Sequence, residues 1–125
     1  MLGILLAAAA LAHPAPAWVG CTGKAAIRPH SIVLACADGN FYVDHLRWKS
    51  WTATGARATG TGHQNDCKPY CAAGHFHAYT ISIRLSRVVP CHRRRDFTRI
   101  TWRWTEPTPK LKGVPRHGSE TLPCR

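Results

Sequence analysis

Acidic side chains are scarce in this chain: six Asp and Glu stand against 17 Lys and Arg, leaving a formal charge of +11 over 125 residues. So few carboxylates give paired-carboxylate catalysis no support, and such a polycation favours polyanionic partners while opposing self-association. No apolar run reaches the roughly 20 residues that a membrane-spanning helix needs, so no transmembrane segment is expected in the mature form. Helical periodicity is missing beyond the first residues, which argues against a helical bundle. Nucleophile elbow, zinc-protease helix and phosphate loop are all lacking, so no motif assigns a catalytic residue and none implies a cofactor.

What is present begins with a leader-like segment. Residues 2–12 are apolar and end in small side chains, with Ala-x-Ala sites at Ala10-Leu11-Ala12 and Ala15-Pro16-Ala17. That is a signal-peptide pattern, although the usual positive n-region is missing; residues 1–17 are expected to be a leader and the protein to be secreted. All six cysteines, Cys21, Cys36, Cys67, Cys71, Cys91 and Cys124, lie beyond this segment. An even number in a small exported chain reads as a disulfide framework, with the pairing left open by the sequence. The same redox argument weighs against zinc at Cys67, Cys71, His75 and His77, although these are zinc-ligand types, and no metal site is expected.

Period-two alternation recurs through the remainder and predicts strands. In residues 76–85, Tyr79, Ile81, Ile83 and Leu85 share one face while Thr80, Ser82 and Arg84 share the other. Residues 97–105 repeat the pattern, with Ile100, Trp102 and Trp104 opposed to Arg99, Thr101 and Arg103. Upstream, residues 31–36 and 41–48 flank Asp38-Gly39-Asn40 and read as a hairpin. Ala56, Ala58 and Gly60 alternate with Arg57, Thr59 and Thr61, giving a further strand with one small-residue face. Five short strands without a helix fit an all-β fold, a small antiparallel β-sandwich or barrel stapled by disulfides, with an Ig-like topology as one option. Residues 18–105 are expected to form a single domain, and residues 106–125, with four prolines, an irregular tail unless Cys124 tethers it.

Three motifs occur in series: Ala35-Cys36-Ala37-Asp38-Gly39-Asn40, Leu46-Arg47-Trp48-Lys49-Ser50-Trp51, and Asn65-Asp66-Cys67-Lys68-Pro69-Tyr70-Cys71-Ala72-Ala73-Gly74. Together they resemble a family of small secreted actinobacterial proteins. The resemblance implies export and a compact domain, and carries over no catalytic residue; the Arg93-Arg94-Arg95 run departs from the family.

The candidate site is cationic. Arg84, Arg99 and Arg103 point away from the Ile and Trp faces, and the connecting segment adds Arg93, Arg94 and Arg95. Guanidinium groups grip phosphates and carboxylates with paired donors, so these six arginines are the expected anion-binding set. The partner class is an anionic polymer: a wall polymer, a polysaccharide or a nucleic acid. The plainer reading of the same residues is a solvated face. A competing class is a small secreted hydrolase such as a cationic nuclease, using His63, His75 or His92 as acid and base. Trp48 and Trp51 differ in parity, which predicts one of them inside and one outside.

Overall fold

The structure, a computed structural model, describes Gly3 and residues 14–105, 111 and 113–124. Apart from Gly3, the apolar run at residues 2–12 lies outside the described residues, as do 106–110, 112 and 125 of the tail. No helix among the described residues is long and apolar enough to cross a membrane.

The protein is all-β. Six strands, β1 (Ile32–Val33), β2 (Phe41–Trp51), β3 (Ala56–Asn65), β4 (Phe76–Cys91), β5 (Arg94–Trp104) and β6 (His117–Thr121), lie side by side in chain order. Every neighbouring pair is antiparallel, so the sheet is a meander. The expected hairpin around Asp38-Gly39-Asn40 forms: Ile32 pairs with Val43, Gly39 takes a positive φ of 68°, and Asn40 donates its N–H to Asp38 Oδ1 at 3.0 Å.

One face of this sheet is the core, and the sheet curls around it. In a flat sheet β2 and β5, three strand spacings apart, would stand about 14 Å from each other with side chains pointing the same way. Yet Phe41 of β2 meets Trp102 and Trp104 of β5 at ring-centroid distances of 5.6 and 5.3 Å, and Trp51 meets Phe97 at 5.4 Å. The small-residue face of β3 makes this closure possible. Ala56 and Ala58 are buried, and a Cβ on Gly62 would lie 2.4 Å from the Trp104 ring. Across from them, Ile81, Ile83 and Leu85 pair with Gly60, Ala58 and Ala56 and complete the interior.

Both Trp48 and Trp51 enter this core, contrary to their parity. The β2–β3 register slips between Trp48 and Ser50, and the extra residue there restores both indoles to the inner face, 4.7 Å apart and edge-on. Their N–H groups are satisfied at 2.8 Å by the carbonyls of Pro29 and Pro16 respectively. A β-bulge flips every later side chain, and alternation alone gives no warning of it.

The tail is more ordered than its prolines suggest. β6 pairs with β5 from Arg99↔Thr121 to Arg103↔His117, and Cys124 is bonded to Cys91. A Cβ on Gly118 would lie 2.3 Å from Trp102, so glycine lets β6 close over that ring. The other bridges are Cys21–Cys36 and Cys67–Cys71, and no cysteine is free. Unreduced, denatured protein is therefore expected to show no thiol titration.

Residues just before Trp18 belong to the folded unit. Ala17 donates its N–H to Arg95 O and accepts from Phe97 N–H, both at 2.9 Å, beside the buried Pro16. A polypeptide beginning at Trp18 loses both bonds and the acceptor of the Trp51 indole. At about 1 kcal/mol per net hydrogen bond it should be less stable by about 2–3 kcal/mol than one beginning at His13. Urea unfolding of the two polypeptides measures the difference.

Candidate anion-binding face

Strand register determines what the outer face carries. Arg84 stands directly opposite Arg57 on β3 and Thr101 on β5. Arg103 is flanked by Ser82 and His117, Arg99 by Ser86 and Thr121, and Arg47 faces Thr59. The result is a continuous field of five exposed arginines, Arg47, Arg57, Arg84, Arg99 and Arg103, interleaved with Thr59, Ser82, Thr101 and Ser119. None of the five is paired with a carboxylate among the described residues. Like charges directly across a strand pair destabilise a sheet, so the Arg57–Arg84 juxtaposition is a cost that a bound anion would relieve.

Of the six arginines expected from sequence, the structure brings three together on this face: Arg84, Arg99 and Arg103. The other three are placed elsewhere. Arg93 lies in the two-residue turn between β4 and β5, with His92 at φ 58°. Arg94 donates from Nε and Nη2 to the buried Asp96 at 2.8 and 3.3 Å. Arg95 donates to the Ala53 carbonyl in the β2–β3 turn at 3.2 Å, tying that turn to β5. Positive φ at Arg87 breaks the alternation here, and beyond it Val88 and its partner Phe97 pack against the core, so the arginine run does not continue the outer face. Arg47 and Arg57, in turn, were not assigned from sequence. The alternation of Ala56, Ala58 and Gly60 puts Arg57 on one face with Thr59 and Thr61, but membership of the arginine field depends on strand order and, for Arg47, on the bulges in β2.

Beside the arginines, a second bulge in β2 builds a groove of about 320 Å³ lined by His45, Arg47, Thr59, Gly60, Thr61 and Thr80. Register slips between Asp44 and Arg47, leaving His45 at a positive φ of 51°. Gly60 sits at the slip, where a Cβ would come within 2.7 Å of the Asp44 carbonyl. Asp44 Oδ1 accepts from both His45 Nδ1 at 2.9 Å and His63 Nε2 at 2.8 Å; an ionised carboxylate only accepts, so both ring nitrogens carry the proton. Burial would raise the Asp44 carboxyl, but the hydrogen bonds from His45 and His63, with their charges, outweigh it and hold the group below its ordinary value. Tyr42 stacks on His63 at 4.5 Å and 9° between planes, and Phe76 lies 5.6 Å from Tyr42.

The remaining histidine and cysteine cluster is structural. Asn65 is buried; its amide donates to Asn40 Oδ1 and Cys71 O at 3.0 and 2.8 Å and accepts from Cys67 N–H at 2.9 Å. Asp66 accepts from the backbone of Lys68 and His75 and from His77 Nε2. The His77 bond, followed by those two backbone donors, holds the Asp66 carboxyl far below its usual range. Both sulfurs here are consumed by the Cys67–Cys71 bond, so they offer no thiolate to zinc. The Cys91, His92 and Cys124 cluster is likewise a disulfide beside a turn histidine. Of the histidines considered for acid–base work, His63 alone meets a carboxylate of the outer face among the described residues; His75 contributes its backbone and His92 its turn.

A carboxylate whose folded value is lowered stabilises the fold above its unfolded value of about 3.9, and that contribution disappears as pH falls through the lowered one. Stability is therefore expected to be flat from neutrality down to about pH 5 and to decline below about pH 4. Combining Asp44→Asn with Asp66→Asn should shallow that acid limb, as followed by chemical unfolding at stepped pH.

These features define the class: a disulfide-tied, curled antiparallel sheet with its apolar face inside and a cationic, hydroxyl-rich face outside. Compared with protein-family models, curated proteins and solved structures, the chain matches none.

Proposed function

We propose that this protein is an exported domain that binds an anionic polymer across the outer face of β2–β5. The observation carrying this reading is the Arg57–Arg84 pair at the centre of five exposed arginines, none ion-paired to a carboxylate among the described residues. Threonine and serine hydroxyls between them can donate to phosphate or sulfate oxygens where no arginine reaches. Export is supported by the leader pattern, by the resemblance of the three motifs, and by three disulfides, which persist in oxidising compartments. Between the two Ala-x-Ala sites, the hydrogen bonds of Pro16 and Ala17 favour cleavage after Ala12 over the boundary at Ala17. The test is retention of the protein on heparin and on polyphosphate as salt is raised. Tight binding at low salt with a steep salt dependence supports the reading, and passage through both matrices at low salt removes it.

A second reading, phosphodiester cleavage, has one observation in its favour: His45 and His63 share Asp44 beside Arg47 on the same face. Imidazoles titrate near neutrality and can exchange a proton with a substrate hydroxyl. Release of short fragments from RNA, abolished by His63→Ala, is the result this reading requires. Binding without fragment release leaves the binding module alone.

A further inference from the structure

The outer face is polarised along its strands. From the Ser82 level toward the β4–β5 turn arginines and hydroxyls are interleaved, Thr61 and Thr80 follow, and rings take the end toward the β3–β4 loop. At that end the cross-strand row runs Val33, Tyr42, His63, Ala78, with Phe76 on the diagonal. Tyr42 and His63 lie parallel, and Phe76 is 48% exposed. A face built only to hold sulfate or phosphate charge has no use for this end. An exposed phenylalanine beside a half-buried tyrosine, next to a cationic track, is what a flexible strand of bases requires, since every base has a flat face to stack and a phosphate to neutralise. Between Ala78 and Ser86, β4 covers about 27 Å at ~3.4 Å per residue, length enough for a run of several nucleotides.

We infer that the anionic polymer is a single-stranded nucleic acid, its bases stacking against Tyr42 and Phe76 and its phosphates crossing the groove at Arg47 onto Arg57, Arg84 and Arg103. This rests on the anionic-polymer reading and narrows it. Duplex DNA offers no accessible base faces, and heparin offers no aromatic bases, so both should engage the arginines without engaging the rings.

The experiment titrates the full chain with a fluorescent 12-nucleotide single strand of uridines, with a duplex of equal length and with a heparin fragment of matched charge. Tyr42→Ala and Phe76→Ala should each weaken the single strand by about ten-fold and leave heparin unchanged. Tyr42→Phe, which keeps the ring, should retain the affinity. An unchanged urea midpoint for each variant shows that it is folded. Should the single strand bind no better than the duplex, with the ring variants indistinguishable from the parent, the nucleic-acid inference is overturned while anionic-polymer binding stands. Should none of the three ligands bind at low salt, both are overturned.

Discussion

Removing the Cys91–Cys124 bridge by joint replacement with alanine is expected to cost about 4 kcal/mol of folding free energy. The bond spans 33 residues, the longest of the three loops, and in the chain-entropy model the stabilisation grows with the logarithm of that span. It also anchors the chain just after β6, whose five residues hold the edge of β5. For a domain of this size such a loss lowers the melting temperature by about 20 °C. The Cys67–Cys71 loop, spanning 4 residues, should cost only about 2 kcal/mol by the same relation. Calorimetry of the two double variants checks the ratio: equal losses would show that loop length is not what governs these bridges.

The second large effect concerns binding. Replacing Arg57, Arg84 and Arg103 with glutamine should reduce the salt slope on a single-stranded polyanion by about 2, as each neutralised phosphate contributes about 0.7. At 0.1 M salt that corresponds to about a 100-fold loss of affinity. Stability should rise slightly, because the cross-strand repulsion between Arg57 and Arg84 goes with it. Glutamine at Arg93 serves as the contrast: it removes the same kind of exposed charge from the β4–β5 turn and should leave the slope nearly intact. A variant pair with the opposite ranking would move the site to the turn.

Several parts of this architecture are legible in the sequence. Strands β3, β4 and β5 announce themselves through alternation, and Arg84, Arg99 and Arg103 follow onto one face because odd and even positions diverge wherever pleating is regular. The hairpin at Asp38-Gly39-Asn40 was legible because the aspartate side chain and Gly39 do locally what a turn demands. Illegible features share one cause: they depend on pairing between distant segments. Trp48 and Trp51 share the core only because β2 bulges, and Arg57 becomes a neighbour of Arg84 only through the β3–β4 register. β6, with the sequence His-Gly-Ser-Glu-Thr, has no apolar alternation of its own and is recruited by β5 and the Cys91–Cys124 bond. Arg94 and Arg95 looked like part of the cationic surface because charge is visible in a sequence, whereas their acceptors, Asp96 and the Ala53 carbonyl, are visible only in space.

The three motifs acquire a physical explanation as well. Asn40 receives both the backbone and side-chain N–H of Asn65, so the first and third motifs interlock. The second supplies Trp48 and Trp51 to the interior. A Cβ on Gly74 would lie 2.1 Å from Asn65 Oδ1, which makes glycine part of the same knot. Most of the motif residues thus build the fold, while the arginine face is carried largely by positions outside them; Arg47 is the exception.

Amide chemical shifts of the protein, recorded with and without a saturating polyanion in low salt, test the central claim most directly. The account predicts changes concentrated at Arg47, Arg57, Thr59, Ser82, Arg84, Arg99 and Arg103, with Arg93 and the turn around it little affected. Shifts centred on that turn, or scattered evenly over the surface, would contradict it.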